Sequence, residues 1–410
     1  MRILPPCLAL ACLLTAVPVA AAEPPEGYDP TGLLYGTVTT ADGDVYRGRL
    51  RWSDEEAAWG DFFNTTKEEL PWARVVPRDE RYRREPIEIL GIKIGMRWEE
   101  RTDGRQLIAR FGDVDRIEVR GSDRIRLVMK TGTVFEAEGG SNDVGATVWV
   151  WDEGLGKLEL AWRNLERIDF APTPKDLATD VYRLRGTVET EAGTFEGFVQ
   201  WDLEECMSDD KLDGDTADGR LAIPMGNIQS IEKRSRSSSR VTLHDGRTLV
   251  LDGTNDVDDD NRGIMVEDPR WGRVDISWDA FVRVDFERAP TSSGPSYDSF
   301  RAPSSLHGSV TTADGEVRRG RLVWDVDEAE GWELLNGRRR GIEYNVPFAM
   351  VAAVERRTWG ARVTLVGGET VDLEDSSDVD EGHAGIVVIA DGERWVSWDD
   401  VDRVDFDHER

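Results

Sequence analysis

Beyond its opening stretch this chain of 410 residues holds a single cysteine, Cys206; the other two, Cys7 and Cys12, lie within the first dozen positions. No intramolecular disulfide can therefore staple the mature fold, even in a compartment that permits one. Stability has to come from packed cores, for which the chain is long enough several times over. Cys206 lies in Glu204-Glu205-Cys206-Met207, where neighbouring carboxylates oppose thiolate formation and no base is near in sequence. Histidine is equally scarce. His244, His307, His383 and His408 are scattered without metal-ligand spacing. No serine sits in a nucleophile elbow, and no glycine loop has the pattern of a phosphate cradle. Basic residues are outnumbered 51 to 81, giving a net charge of -30. Such a field repels phosphate backbones and anionic lipid, which excludes nucleic acid as the expected partner. No stretch of real length carries the 3.6-residue apolar periodicity of an amphipathic helix.

What is present begins with an address. Met1-Arg2 precedes an apolar run from Ile3 to Ala22 that ends in Ala20-Ala21-Ala22 before Glu23. Small residues closing a short apolar stretch predict a secretory signal peptide over 1–22. Pro5, Pro6 and Pro18 interrupt it, so it reads as a cleaved leader rather than a spanning helix. A periplasmic or secreted bacterial protein is expected, with no membrane span after cleavage.

The strongest signal is a repeat. Gly36-Thr-Val-Thr-Thr-Ala-Asp-Gly43 recurs as Gly186-Thr-Val-Glu-Thr-Glu-Ala-Gly193 and as Gly308-Ser-Val-Thr-Thr-Ala-Asp-Gly315. A second glycine follows each (Gly48, Gly197, Gly320), then Trp52, Trp201 or Trp324. Later blocks also correspond: Asn142-Asp143-Val144, Asn255-Asp256-Val257 and Ser377-Asp378-Val379. Trp162, Trp278 and Trp398 each precede an Asp-Phe pair, ending at Phe170, Phe286 and Phe406. Self-similarity of this kind predicts three tandem units. Their bounds are 33–172, with an insertion at about 72–106, then 183–288 and 306–408. A connector at 173–182 joins the first two, and a Pro/Ser/Gly-rich stretch at 289–305 reads as a flexible linker. The six repeat-equivalent tryptophans are expected to anchor cores.

Alternating runs around Asp245-Gly246, Gly367-Gly368 and Thr131-Gly132 predict β-hairpins, and the fold class is all-β. Each unit also reads as two half-units of similar order. Val241 to Gly253, Asn255 to Asn261, Ile264 to Glu267 and Ile276 to Phe286 give a hairpin, an Asp/Asn loop, an apolar strand and a closing strand. In this order each half-unit resembles a small Sm-like β-barrel. The resemblance implies closed barrels; the family's ring assembly and RNA binding do not follow here, given the export signal, the acidity and the tandem arrangement.

One stretch has the chemistry of a cation site. Asp256, Asp258, Asp260 and Glu267 stand at positions 1, 3, 5 and 12 of a run, the spacing of a calcium loop whose hard oxygens wrap one ion. Asn261 replaces the usual glycine at position 6, and the same residues suit a solvated acidic loop. Paired acids also follow each first tryptophan: Glu55-Glu56, Glu204-Glu205 and Asp327-Glu328. Two carboxylates can hydrolyse glycosides only across a cleft, and adjacent strand residues point to opposite faces. Basic clusters at Arg120 to Arg126, Lys233 to Arg240 and Arg356 to Arg362 are expected to pair with acids of the same chain. The expected function is a non-enzymatic envelope protein that binds or scaffolds a protein or glycan partner. A calcium-dependent glycan or peptide binder is the first alternative, and a carbohydrate-active enzyme the second.

Overall fold

The computed structural model describes residues 21–408 apart from 69, 79, 81, 90–91, 101–104 and 140–142. The predicted export signal lies outside the described residues except for Ala21 and Ala22. Among them the fold is all-β, with helix confined to three-residue turns, and no helix is long and apolar enough to cross a membrane.

The first segment supplies β1 (Tyr35–Thr40), β2 (Val45–Trp52), β3 (Phe62–Lys67), β4 (Tyr82–Ile89), β5 (Ile92–Glu100) and β6 (Gln106–Arg110). It continues through β7 (Val114–Val119), β8 (Arg124–Met129), β9 (Val134–Glu138), β10 (Val148–Asp152), β11 (Gly156–Leu160) and β12 (Leu165–Phe170). The second begins with β13 (Arg185–Thr190), β14 (Gly193–Gln200), β15 (Lys211–Thr216), β16 (Gly219–Pro224) and β17 (Ile228–Ser235). Its rear half is β18 (Ser238–Leu243), β19 (Thr248–Asp252), β20 (Ile264–Asp268), β21 (Gly272–Ile276) and β22 (Phe281–Phe286). The third begins with β23 (Leu306–Thr312), β24 (Val317–Val323), β25 (Leu334–Arg339), β26 (Ile342–Pro347) and β27 (Val351–Arg357). It ends with β28 (Gly360–Leu365), β29 (Thr370–Leu373), β30 (Ile386–Ile389), β31 (Glu393–Val396) and β32 (Val401–Phe406). The insertion expected at 72–106 contains the separate β4–β5 hairpin.

The first sheet runs β11-β10-β2-β1-β12-β7-β8-β9-β3-β6. The second runs β16-β15-β19-β18-β17-β22-β13-β14-β20-β21 and continues into β26-β25 of the third segment; the third is β29-β28-β27-β32-β23-β24-β30-β31. The first sheet and the second segment's part of the second sheet share one order, β2-β1-β12-β7-β8-β9 running as β14-β13-β22-β17-β18-β19. Both of these orders are symmetric about their centre: in the second, β17 and β22 pair in the middle, flanked by β18 and β13, then β19 and β14, then β15 and β20. The third sheet stops at β29 on one side because β25 and β26 join the second sheet.

These sheets are open, which corrects the expectation of closed barrels. A half-unit's third strand does not return to its own second strand. Instead β20 pairs with β14 of the front half, and β15 reaches β19 of the rear half. What each half lacks along its edge the other half supplies, so the two halves interlock and neither closes alone.

The repeated glycines have a steric cause. Gly36, Gly186 and Gly308 lie opposite Phe170, Phe286 and Phe406. A Cβ on Gly48 or Gly197 would stand 1.8 Å from the carbonyl oxygen of Trp151 or Glu267 on the crossing strand, and one on Gly320 would stand 2.4 Å from that of Ile389. Only glycine lets the backbones approach this closely. The six anchor tryptophans are all buried, with Trp52, Trp201 and Trp324 at 0% exposure.

The stretch 289–305 is docked rather than free. Tyr297 and Phe300 enter the first segment's core; the Tyr297 hydroxyl donates to the Val114 carbonyl at 2.7 Å and its ring packs 4.5 Å from Trp59. Two aromatics within a Pro/Ser/Gly-rich stretch outweigh its composition, because burying them offsets the entropy of ordering the chain.

Candidate functional site

The four acids of the predicted calcium loop do not form one group. Asp256 is buried, and its Oδ2 accepts from the backbone N–H of Asp213 at 2.6 Å. Asp258 turns back to accept from the Asp260 N–H at 3.0 Å, while Asp260 is exposed. Glu267 lies on β20 and accepts from Arg183 at 2.9 and 3.1 Å. The spacing matches a calcium loop, but extended backbone after Asp258 and the strand at Ile264 send the side chains to separate partners.

The structure instead organises the loop after each first tryptophan. Nine residues beyond Trp52, Trp201 and Trp324 stand Asp61, Asp210 and Glu333. One carboxylate oxygen of each closes the loop by accepting two backbone N–H groups: Ala57 and Ala58, Cys206 and Met207, or Ala329 and Glu330, at 2.6–2.9 Å. The other oxygen meets a cation from another segment. Asp61 pairs with Arg183 at 2.5 Å, Asp210 with Arg51 at 2.7 Å and Glu333 with Lys67 at 2.8 Å. This acid is legible in the sequence at a constant nine-residue offset from the tryptophan, although its identity changes from Asp to Glu in the third segment. Cys206, within the second loop, is buried with its Sγ 3.2 Å from the Glu55 carbonyl, and burial pushes its thiol well above the ordinary range.

Beside each clasp sits a second acid pair. The indole N–H of Trp52, Trp201 or Trp324 donates to the carbonyl of Asp143, Asp256 or Asp378 at 2.9–3.1 Å. The carboxylate of that aspartate accepts from the backbone N–H of Asn64, Asp213 or Asn336 at 2.6 Å, fixing the loop to the third residue of β3, β15 or β25. Four residues after each tryptophan, Glu56, Glu205 and Glu328 bridge back to the tryptophan backbone. The Oε2 atoms of all three glutamates are buried without a hydrogen-bond partner. Burial, reinforced by a neighbouring aspartate, raises Glu205 to about 9 and holds Glu56 and Glu328 well above the carboxylate range. Burial likewise raises Asp143 and Asp256 to about 6 and Asp378 to about 8.

The surroundings of the three pairs differ. In the third segment Lys67 bonds Asp327 at 2.6 Å, and Arg105 pairs with Asp325. Burial disfavours the Lys67 ammonium, but Asp327 and Glu333 outweigh that cost and hold it above its ordinary range. In the second segment Arg262 draws off Asp202 and Glu204, and Glu205, Asp209, Asp213 and Asp256 line an open cavity of about 430 Å³. In the first, Glu55, Glu56 and Asp143 each bring a ligand oxygen within 4.8 Å of the others. The adjacent Glu55 and Glu56 converge because residues 53–55 form a turn, with Ser53 at φ 52°, so strand alternation does not apply. Among the described residues this is the one group of three with metal-binding spacing.

The basic clusters pair locally: Arg236 with Asp259, Arg240 with Glu232, Arg356 with Asp399 and Arg362 with Asp372. Among the less regular tryptophans, Trp59 and Trp332 are core residues, whereas Trp359 is 82% exposed on the turn between β27 and β28. No protein-family model matches the chain, and no curated protein is similar to it. A solved streptogramin B lyase aligns at 10% identity, over 85% of this chain and 99% of its own, with a TM-score of 0.15. A likeness at that level carries no argument about fold or function.

Proposed function

We propose that this is a non-enzymatic protein exported to the bacterial periplasm or beyond, whose three tandem units act together as a rigid binding or scaffolding surface. The observation that supports this most is the way the segments are joined. β21 continues the second sheet into β26 of the third, and Arg183, Arg51 and Lys67 carry buried charge from one segment into the loop of another. Buried pairs of this kind are weak evidence for stability but fix relative orientation well, which is what a multi-contact surface needs. The partner is a protein or glycan of the cell envelope. Trp359 is the natural first contact, since exposed tryptophan is enriched at binding hot spots.

Small-angle scattering of the mature chain tests the rigid arrangement: a compact body of this length has a radius of gyration of about 21 Å. A value half as large again would mean that the units string out. Cross-linking in intact cells tests the binding. Envelope partners captured by the parent and lost with Trp359→Ser support it; turnover on a glycan panel, with no cross-linked partner, would overturn it. A cation-dependent form of the same reading is favoured by the acid group of the first segment.

A further inference from the structure

We propose that Glu55, Glu56 and Asp143 form a site for one hard divalent cation of calcium's size. Geometry carries this. Three carboxylate oxygens lie within 4.8 Å of one another, the spread of oxygens around an ion bound at about 2.3–2.6 Å. The donors are all oxygen, which suits calcium or magnesium over zinc or copper. Glu56 supplies the second observation: it is 6% exposed, and its Oε2 is buried with no hydrogen-bond partner. A buried carboxylate oxygen without a donor costs free energy, and a cation at that atom removes the cost. Asp143 is held in place through Oδ2 by the N–H and Nδ2 of Asn64, at 2.6 and 3.0 Å. Glu55, only half-buried, gives the ion a way in from solvent.

The neighbouring charges leave room for it. Arg273 is the cation that acts on Glu56 and Asp143 from the second segment, but its guanidinium is bonded to Asp275 at 2.9 Å and lies 4.5 Å from the Phe62 ring. Asp61 adds negative charge near Glu56 and is itself matched by Arg183. The third segment shows the alternative solution, where the Lys67 ammonium bonds the acid equivalent to Glu55.

The test is thermal unfolding of the full mature chain, stripped with EDTA and titrated with calcium chloride or magnesium chloride alone. A saturable rise of about 2–5 °C is expected by linkage. It should disappear in Glu56→Gln, which is close to isosteric, and need at least tenfold more cation in Glu55→Gln. Glu328→Gln should titrate like the parent. No shift with either cation overturns the site, as does a shift that survives in both Glu56→Gln and Glu55→Gln. Failure here would leave the scaffold reading untouched, because scattering and cross-linking report on that separately.

Discussion

The first and third segments place the same residues around the same tryptophan yet solve the resulting charge problem differently. Trp52 and Trp324 both donate to an aspartate carbonyl, both sit beside a glutamate with a partnerless buried oxygen, and both loops are closed by an acid nine residues on. In the third segment the neutralising charge is covalent, delivered by Lys67 from β3 and Arg105 from just before β6. The first segment receives Arg183 on Asp61, whose charge is felt by Glu56 of the Glu55–Glu56–Asp143 group. Packing between copies, not the copy's own sequence, therefore decides which site is internally neutralised. A repeat that keeps its residues can still diverge in chemistry through what its neighbours bring.

The largest expected effect comes from making the third site like the first. Lys67→Met leaves Asp327 and Glu333 buried without their cation, and should cost about 3–5 kcal/mol in urea unfolding in EDTA. Part of that loss should return with calcium, which would now have an acid group to enter. Full loss without recovery would mean that the two sites differ in shape as well as charge.

The second prediction concerns pH. Glu205 has a folded value of about 9 against an ordinary 4.5, so between those limits the folded state binds more protons than the unfolded one. Its contribution is fully present below about pH 4.5 and is lost as pH rises toward 9, at a slope of order 1 kcal/mol per pH unit. Melting temperature in EDTA should therefore fall steadily from pH 5 to 9, and Glu205→Gln should flatten the curve. Stability that rises over this range would contradict the burial of these acids.

A smaller effect separates the proton from the cation. Burial holds the Glu328 carboxyl well above the carboxylate range, so Glu328→Gln, which stays neutral at every pH, should lose stability less steeply than the parent as pH rises in EDTA. Smallest of all, Trp359→Ser touches neither site and should stay within about 0.5 kcal/mol of the parent, so any loss of partner capture belongs to the surface.

Much of this architecture could be read from residues. The all-β class followed from alternation around glycine turns, and the recurring tryptophans Trp52, Trp201 and Trp324 are fully buried. The extra length at about 72–106 stood out because the other two segments have nothing to align with it, but nothing in the residues marked it as the β4–β5 hairpin. The four acids of the predicted calcium loop part company because sequence spacing is not direction. Asp256 turns inward to cap β15 and Glu267 leaves on a strand toward Arg183. Closed barrels failed for a related reason: each half presents a complete list of strands, and only the edges decide that β20 joins β14 and not β19.

Local sequence by itself determined the strands, their turns, the glycines at crossings and the tryptophan anchors, since these depend on periodicity, φ and burial within a few residues. Only the tertiary structure decided that the halves interlock, that 289–305 docks through Tyr297 and Phe300, and which buried acids meet a cation. The interlocking rests on pairs such as Asp215 with Asp252 and Phe198 with Glu267, and the docking and charge pairing on contacts farther apart still, as when Lys67 reaches Glu333 or Arg183 reaches Asp61. A charge in a low-dielectric interior is governed by whatever lies within a few ångströms, whichever part of the chain supplies it.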